Sequence, residues 1–153
     1  MAATTVQSSA VKAGLKPDDR RPGVVLCRTG YYKAAAALDA NSIVELVPVP
    51  KGAQILDIHM FVSDSGSGRT FDVGDAGLVD RYLDGIDPSS GPIRSDYHED
   101  GDMACIENYQ YTADDTIDVK WLGDTFEVGQ TVFMNVFYKM GDTIDDEIAT
   151  YVV

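Results

Sequence analysis

At 153 residues the chain has the length of one domain, large enough to bury a core without staples. Its formal charge of −13 is unevenly spread: residues 1–50 hold six basic and four acidic residues, residues 51–153 six basic and 21 acidic. An acidic body repels phosphate backbones and so excludes nucleic acid as a partner, and no apolar stretch approaches the ~20 residues a membrane span needs.

Residues 1–22 have no helical or strand period and combine Ser, Thr, Ala and Gly with Pro17 and Pro22. They read as an extended or flexible N-terminal arm, ahead of a single β-sandwich domain over 23–153. The segment MAATTVQSSAVKAG has no apolar signal core and reads as the start of a cytosolic product. Val24–Arg28 is a first strand. Tyr31–Leu38 mixes the helix-favouring run Ala34–Ala37 with a strand-like start, and in a chain of strands it is expected to be extended. Ile43–Val47 is a buried strand, followed by the stiff connector Pro48–Gly52.

Ile55, Ile58, Met60 and Val62 alternate imperfectly with Asp57 and His59. This predicts a strand, and after the Ser/Asp/Gly run Ser63–Gly68 the chain resumes at Arg69–Val73 as if closing a hairpin. Asp72–Asp102 then reads as one long connection whose first part, Asp72–Asp87, carries five aspartates (Asp72, Asp75, Asp80, Asp84, Asp87), with a short helical turn at Val79–Leu83. Leu78, Tyr82, Leu83 and Ile86 should pin it to the sandwich as a shaped loop, because a floppy connection of this length is unusual in a compact domain.

The last third has the cleanest period-2 pattern. Ala104–Tyr111 is a strand candidate; Ile117, Val119 and Trp121 alternate with Asp118 and Lys120; Thr131–Met140 is a long apolar strand. Val132, Met134, Val136 and Tyr138 face inward with the earlier apolar residues. Phe133 and Phe137 fall on the opposite side, where a second layer or a partner subunit must cover them. Strands at this spacing, with turns between and no long amphipathic helix, give an all-β fold: an antiparallel β-sandwich, of jelly-roll type, with an extended N-terminal arm.

The stretches LDIHMFVSDS, FDVGDAG and DRYLDGID resemble the jelly-roll capsid decoration (cement) proteins of tailed bacteriophages. That resemblance implies a virion structural protein on the capsid surface, with the major capsid protein lattice as partner; the two-sided apolar strand with Phe133 and Phe137 adds the expectation of a homo-oligomer, dimer or trimer. The residues expected to meet a partner are Lys12, Lys16, Arg20 and Arg21 on the arm, Leu78 and Tyr82 on the Asp-rich loop, and Phe133 and Phe137. The alternative is a carbohydrate-binding or tail-associated adhesion module on the same sandwich.

Catalytic chemistry finds no support. His59 and His98 are not at a metal-binding spacing, and Cys27 and Cys105, far apart, read as two buried free thiols. Neither His98–Asp102 nor Asp72–Asp87 matches a calcium loop, GSG at 66–68 lacks the Lys of a phosphate loop, and no nucleophile elbow is present. Among 25 acidic residues some two always lie at glycosidase distance, so that coincidence carries nothing. No cofactor, metal or catalytic residue is expected.

Overall fold

A computed structural model describes residues 2–16, 19, 22–63, 68–95 and 109–141. Its strands are β1 (Thr5–Gln7), β2 (Val25–Lys33), β3 (Ile43–Val49), β4 (Ala53–Val62), β5 (Thr70–Gly74), β6 (Leu83–Ile86), β7 (Ile93–Arg94), β8 (Asp115–Leu122) and β9 (Thr131–Met140), with one short helix, α1 (Ser9–Ala13). They form a five-stranded sheet in the order β1-β3-β8-β5-β6 and a four-stranded sheet in the order β2-β9-β4-β7. The two pack face to face as a β-sandwich. All pairings are antiparallel except β1 with β3.

The core follows from the alternation. Ile55, Ile58, Met60, Ile117, Val119, Trp121, Val132, Met134, Val136 and Tyr138 are all buried, and β8 and β9, each burying one face along its length, run through the middle of their sheets. The imperfect period of β4 has a structural cause. Its register against β9 shifts between Ile55 and Asp57, and this bulge at Leu56 resets the phase so that Ile55 and Ile58, three apart, both point inward. A similar shift between Glu45 and Val47 lets β3 bury Val44, Leu46, Val47 and Val49.

The expected hairpin does not form. β4 pairs with β9 and β7 in one sheet, whereas β5 pairs with β8 and β6 in the other, so the connection after Val62 crosses the sandwich. Turn-forming residues show where a chain can reverse, but the partner of each strand is fixed by burial of its apolar face, and each of these two strands takes one partner, β9 or β8, from the distant last third. The long connection is also more structured than its composition suggests: it holds β6, a 3-10 turn at Pro88–Ser90 and β7, and Val79–Tyr82 is a turn rather than a helix. Tyr82, Leu83 and Ile86 are buried, while Leu78 is exposed. Pro48, expected in a connector, lies in β3 opposite Thr116; β1 covers only Ile43–Glu45, and the open side beyond it tolerates a residue without an N–H. The strand expected at Ala104–Tyr111 falls mostly outside the described residues; of its described part, Gln110 bridges to Gln54.

The N-terminal segment is used by the chain itself. Thr5–Gln7 is extended, as an arm would be, but it adds to the edge of this chain's own β3. Ser8 then ties strand to helix: buried, its Oγ donates to the Leu46 carbonyl at 2.6 Å and accepts from the Val11 N–H at 3.2 Å as the cap of α1. Further along, Asp19 pairs with Arg28 on β2 at 2.6 Å, and its carbonyl accepts from the Tyr138 hydroxyl at 2.9 Å. Replacing Ser8 with alanine should cost about 1–2 kcal/mol in a urea melt, because a cap is lost together with a buried bond. A change within error would show that the segment is not docked in solution.

Gly30 marks a close approach of β2 to β3. A Cβ added there would lie 2.3 Å from the Leu46 carbonyl oxygen of the facing sheet, with backbone that cannot swing aside. Gly30→Ala should therefore push β2 from β3 and lower stability by roughly 1–3 kcal/mol, the range for overpacking. An unchanged melting temperature would contradict this close approach.

Candidate interaction face

The outer face of the four-stranded sheet is built by the register of β2, β9 and β4. One cross-strand row reads Tyr31, Phe133, Phe61, and the next Thr29, Asn135, His59, continuing to Arg94 on β7. A third row reads Cys27, Phe137, Asp57. The first row leaves three aromatic side chains in solvent side by side, with Phe61 52%, Tyr31 49% and Phe133 37% exposed. Phe137 is half-buried, its ring 5.0 Å from that of His59. Such a row across three strands is an apolar patch of the kind that marks interaction sites.

The polar residues beside the row are knitted together. Asp57 Oδ2 accepts from Arg94 Nη2 at 2.8 Å and meets His59 Nε2 at 2.7 Å. Burial by itself would raise the Asp57 carboxyl, but the bonds and charges of Arg94 and His59 outweigh it and hold the group below its ordinary value. Thr29 Oγ1 donates to Asn135 Oδ1 at 2.6 Å. Cys27 is an exposed thiol, not a buried one, because the alternation of β2 turns it outward opposite Phe137; partial burial still raises it above the usual thiol value. Cys105 and His98 lie outside the described residues.

The other sheet presents acid. Glu45, Asp118 and Gly74 stand in one outward row, with Asp72 opposite Lys120 in the next. The turn after β5 folds back over this face, so closely that a Cβ on Gly74 would fall 2.1 Å from the Leu78 carbonyl oxygen. Asp75, 1% exposed, organises that turn: Oδ1 accepts from the Gly77 and Leu78 N–H groups at 2.9 Å, and Oδ2 takes Arg81 Nε and the Tyr111 hydroxyl. Arg81 stacks over Tyr109 at 3.7 Å, and the Tyr82 and Tyr111 hydroxyls share a bond of 2.8 Å. Asp72 accepts from the Gly85 N–H and Asp87 caps Ser89. These three aspartates of the Asp-rich loop are therefore staples for backbone N–H groups, a use that sequence reasoning missed although Asx turns are signalled by Asp followed by Gly or Ser. No cluster of three or more metal-ligating side chains occurs among the described residues.

Asp118 is a strongly perturbed carboxyl. Burial first, then the nearby charges of Glu45 on β3, Asp115 on its own strand and Asp75 on the turn, push its carboxyl up to about 7 from 3.8, against a bond from Thr116. Its Oδ1 is buried and without a hydrogen-bond partner. The folded chain thus holds a proton that the unfolded chain releases between about pH 4 and pH 7, so lowering the pH through this window should stabilise the fold. Asp118→Asn should stabilise by an amount that grows across the same window and levels off above it, on the order of 2–4 kcal/mol at pH 8. Thermal melts of both proteins from pH 4 to pH 8 check this, and parallel curves would refute it.

The expected partner residues do not converge. Phe133 and Phe137 share the aromatic face; Leu78 is exposed on the turn over the opposite sheet. Tyr82 is fully buried, so its apolar ring and bonded hydroxyl hold the turn and do not meet a partner. Lys12 and Lys16 are exposed at and just beyond the end of α1, while Arg20 and Arg21 lie outside the described residues. Tyr31 and Phe61 complete the aromatic row, and only the pairing of β2, β9 and β4 could have revealed them.

No family model matches the sequence, and no curated protein does. Solved structures do match. A chain in the structure described as the capsid of Ralstonia phage GP4 is 19% identical with a TM-score of 0.72, over 91% of this chain and 99% of that one. The protein shares its fold with a phage capsid chain. A chain of the cyanophage Pam1 capsid asymmetric unit matches at 16% identity and a TM-score of 0.58, covering 82% of this chain and 94% of that one. A third, from the acidic stable capsid structure of the Helicobacter pylori bacteriophage KHP30, matches at 15% and 0.53, over 77% and 89%.

Proposed function

We propose that this chain is a virion structural protein that decorates and stabilises the capsid shell of a tailed bacteriophage. The observation that carries the reading is the near-complete overlap in both directions with the GP4 capsid chain: the sandwich corresponds to a whole chain of similar length, not to a domain of a much larger shell subunit. The surface agrees with this role. Three carboxylates of the Asp-rich loop, Asp72, Asp75 and Asp87, are spent on backbone staples, and among the described residues the most exposed aromatic rings lie on regular strands of one sheet, where a flat partner can cover them, rather than in the loops a sugar-binding module would use.

The test is co-sedimentation of the purified protein with undecorated shells of its phage. Saturable binding, at a copy number fixed by the lattice, is the expected result. Protein that stays in the supernatant at micromolar concentration would overturn the reading.

A further inference from the structure

We infer that the outer face of the four-stranded sheet is the surface that docks on the shell, and that it fits a partner patch with an apolar centre and a carboxylate-lined rim. This rests on the reading of the chain as a shell-binding protein, and it names the side that binds. The centre of the face is the row Tyr31, Phe133, Phe61, flanked by Phe137. Around it, the outward charged residues on these strands are Lys33, Lys139 and Arg94 against Asp57 alone, and Asp57 is already engaged by Arg94 and His59.

That balance singles the face out. In a chain of charge −13 the outward residues of its strands are net basic, whereas the strands of the other sheet turn Glu45 and the exposed Asp84 outward, beside the largely covered Asp72 and Asp118, with Lys120 as their single cation. A basic rim around an exposed aromatic centre pairs with acid around apolar side chains, and opposite charge both speeds encounter and fixes register. A second copy fits poorly. A two-fold contact through this face would bring Lys33 and Lys139 of both copies into one shared, partly desolvated patch, in which the one outward carboxylate on the described strands of this face, Asp57, is already engaged by Arg94 and His59. The chain's own N-terminal segment leaves the face open, because β1 and α1 lie on β3 and on the β2 side of the sandwich edge.

The experiment compares shell binding by the full chain and three variants: Phe61→Ser with Phe133→Ser, Lys33→Glu with Lys139→Glu, and Asp84→Asn on the opposite sheet. The aromatic pair should weaken binding at least ~30-fold, as loss of central aromatic anchors does. The charge reversal should weaken it about tenfold at low salt and less at high salt, and Asp84→Asn should bind like the wild type. Hydroxyl-radical footprinting of the unaltered protein gives a measure independent of variant folding: Tyr31, Phe61 and Phe133 should become protected on shells. Binding of the aromatic variant within about twofold of wild type, or no protection of these rings, would overturn the inference while leaving the shell-binding reading intact. So would a variant that loses self-association but still binds shells, since the face would then be a contact between copies. A wild-type protein that does not bind shells at all would overturn the reading and the inference with it.

Discussion

Replacing Asp75 with alanine is expected to destabilise the protein by about 3–5 kcal/mol, the usual consequence of removing one partner of a buried ion pair. Asp75 is 1% exposed and holds the Gly77 and Leu78 N–H groups, the Arg81 guanidinium and the Tyr111 hydroxyl together. Without it, Arg81 is a cation stacked over Tyr109 that has lost its hydrogen-bonded ion-pair partner, and two backbone donors lose their acceptor. Asparagine keeps the shape and can still accept from the backbone, so Asp75→Asn should recover part of the loss. Urea denaturation of the two variants checks this; a loss below about 1 kcal/mol for alanine would show that the turn is not held as described.

The second large effect is expected at Trp121, in the central strand of the five-stranded sheet. Its ring stacks on Phe126 at 4.2 Å and meets Phe71 edge-on at 5.7 Å, wholly out of solvent. Trp121→Ala should cost roughly 3–5 kcal/mol through the cavity it leaves. Trp121→Phe should cost much less, because the indole Nε1 is buried without a hydrogen-bond partner and its N–H contributes nothing that phenylalanine would forfeit. Equal losses for the two variants would mean that the indole N–H is engaged after all.

How much of this was legible depended on whether a residue's role is local. β8 and β9 could be read from alternation alone because each buries one face from end to end, and all ten apolar residues assigned to the core are buried. Ile55–Val62 was recognisable as a strand, yet its broken phase became interpretable only with the bulge at Leu56, since a bulge is set by the partner strand's register. The hairpin failed for the same reason: which strand pairs with which is a long-range outcome that turn composition does not encode. The N-terminal segment, poor in apolar residues, gave no sign of docking on its own domain, because β1 attaches through main-chain hydrogen bonds, which leave no trace in side-chain pattern. At the candidate site, Phe133 and Phe137 were legible as apolar residues on the wet side of a strand. Tyr31 and Phe61, more exposed than either, were not, because their meaning comes only from lying beside Phe133 in register. Tyr82 misled in the opposite direction: loop aromatics suggest contact surfaces, and this one is a core anchor.

The proposal that this sandwich decorates and stabilises a shell is tested most directly on the particle itself. Virions that carry the protein and virions assembled without it would be heated in the presence of a DNA-binding dye, with the protein content of each preparation measured by mass spectrometry. Particles with the protein, present in many copies, should release DNA at a clearly higher temperature than particles lacking it, and adding back the purified chain should restore that temperature. Identical release temperatures, or purified virions that contain none of the protein, would contradict a role in stabilising the capsid.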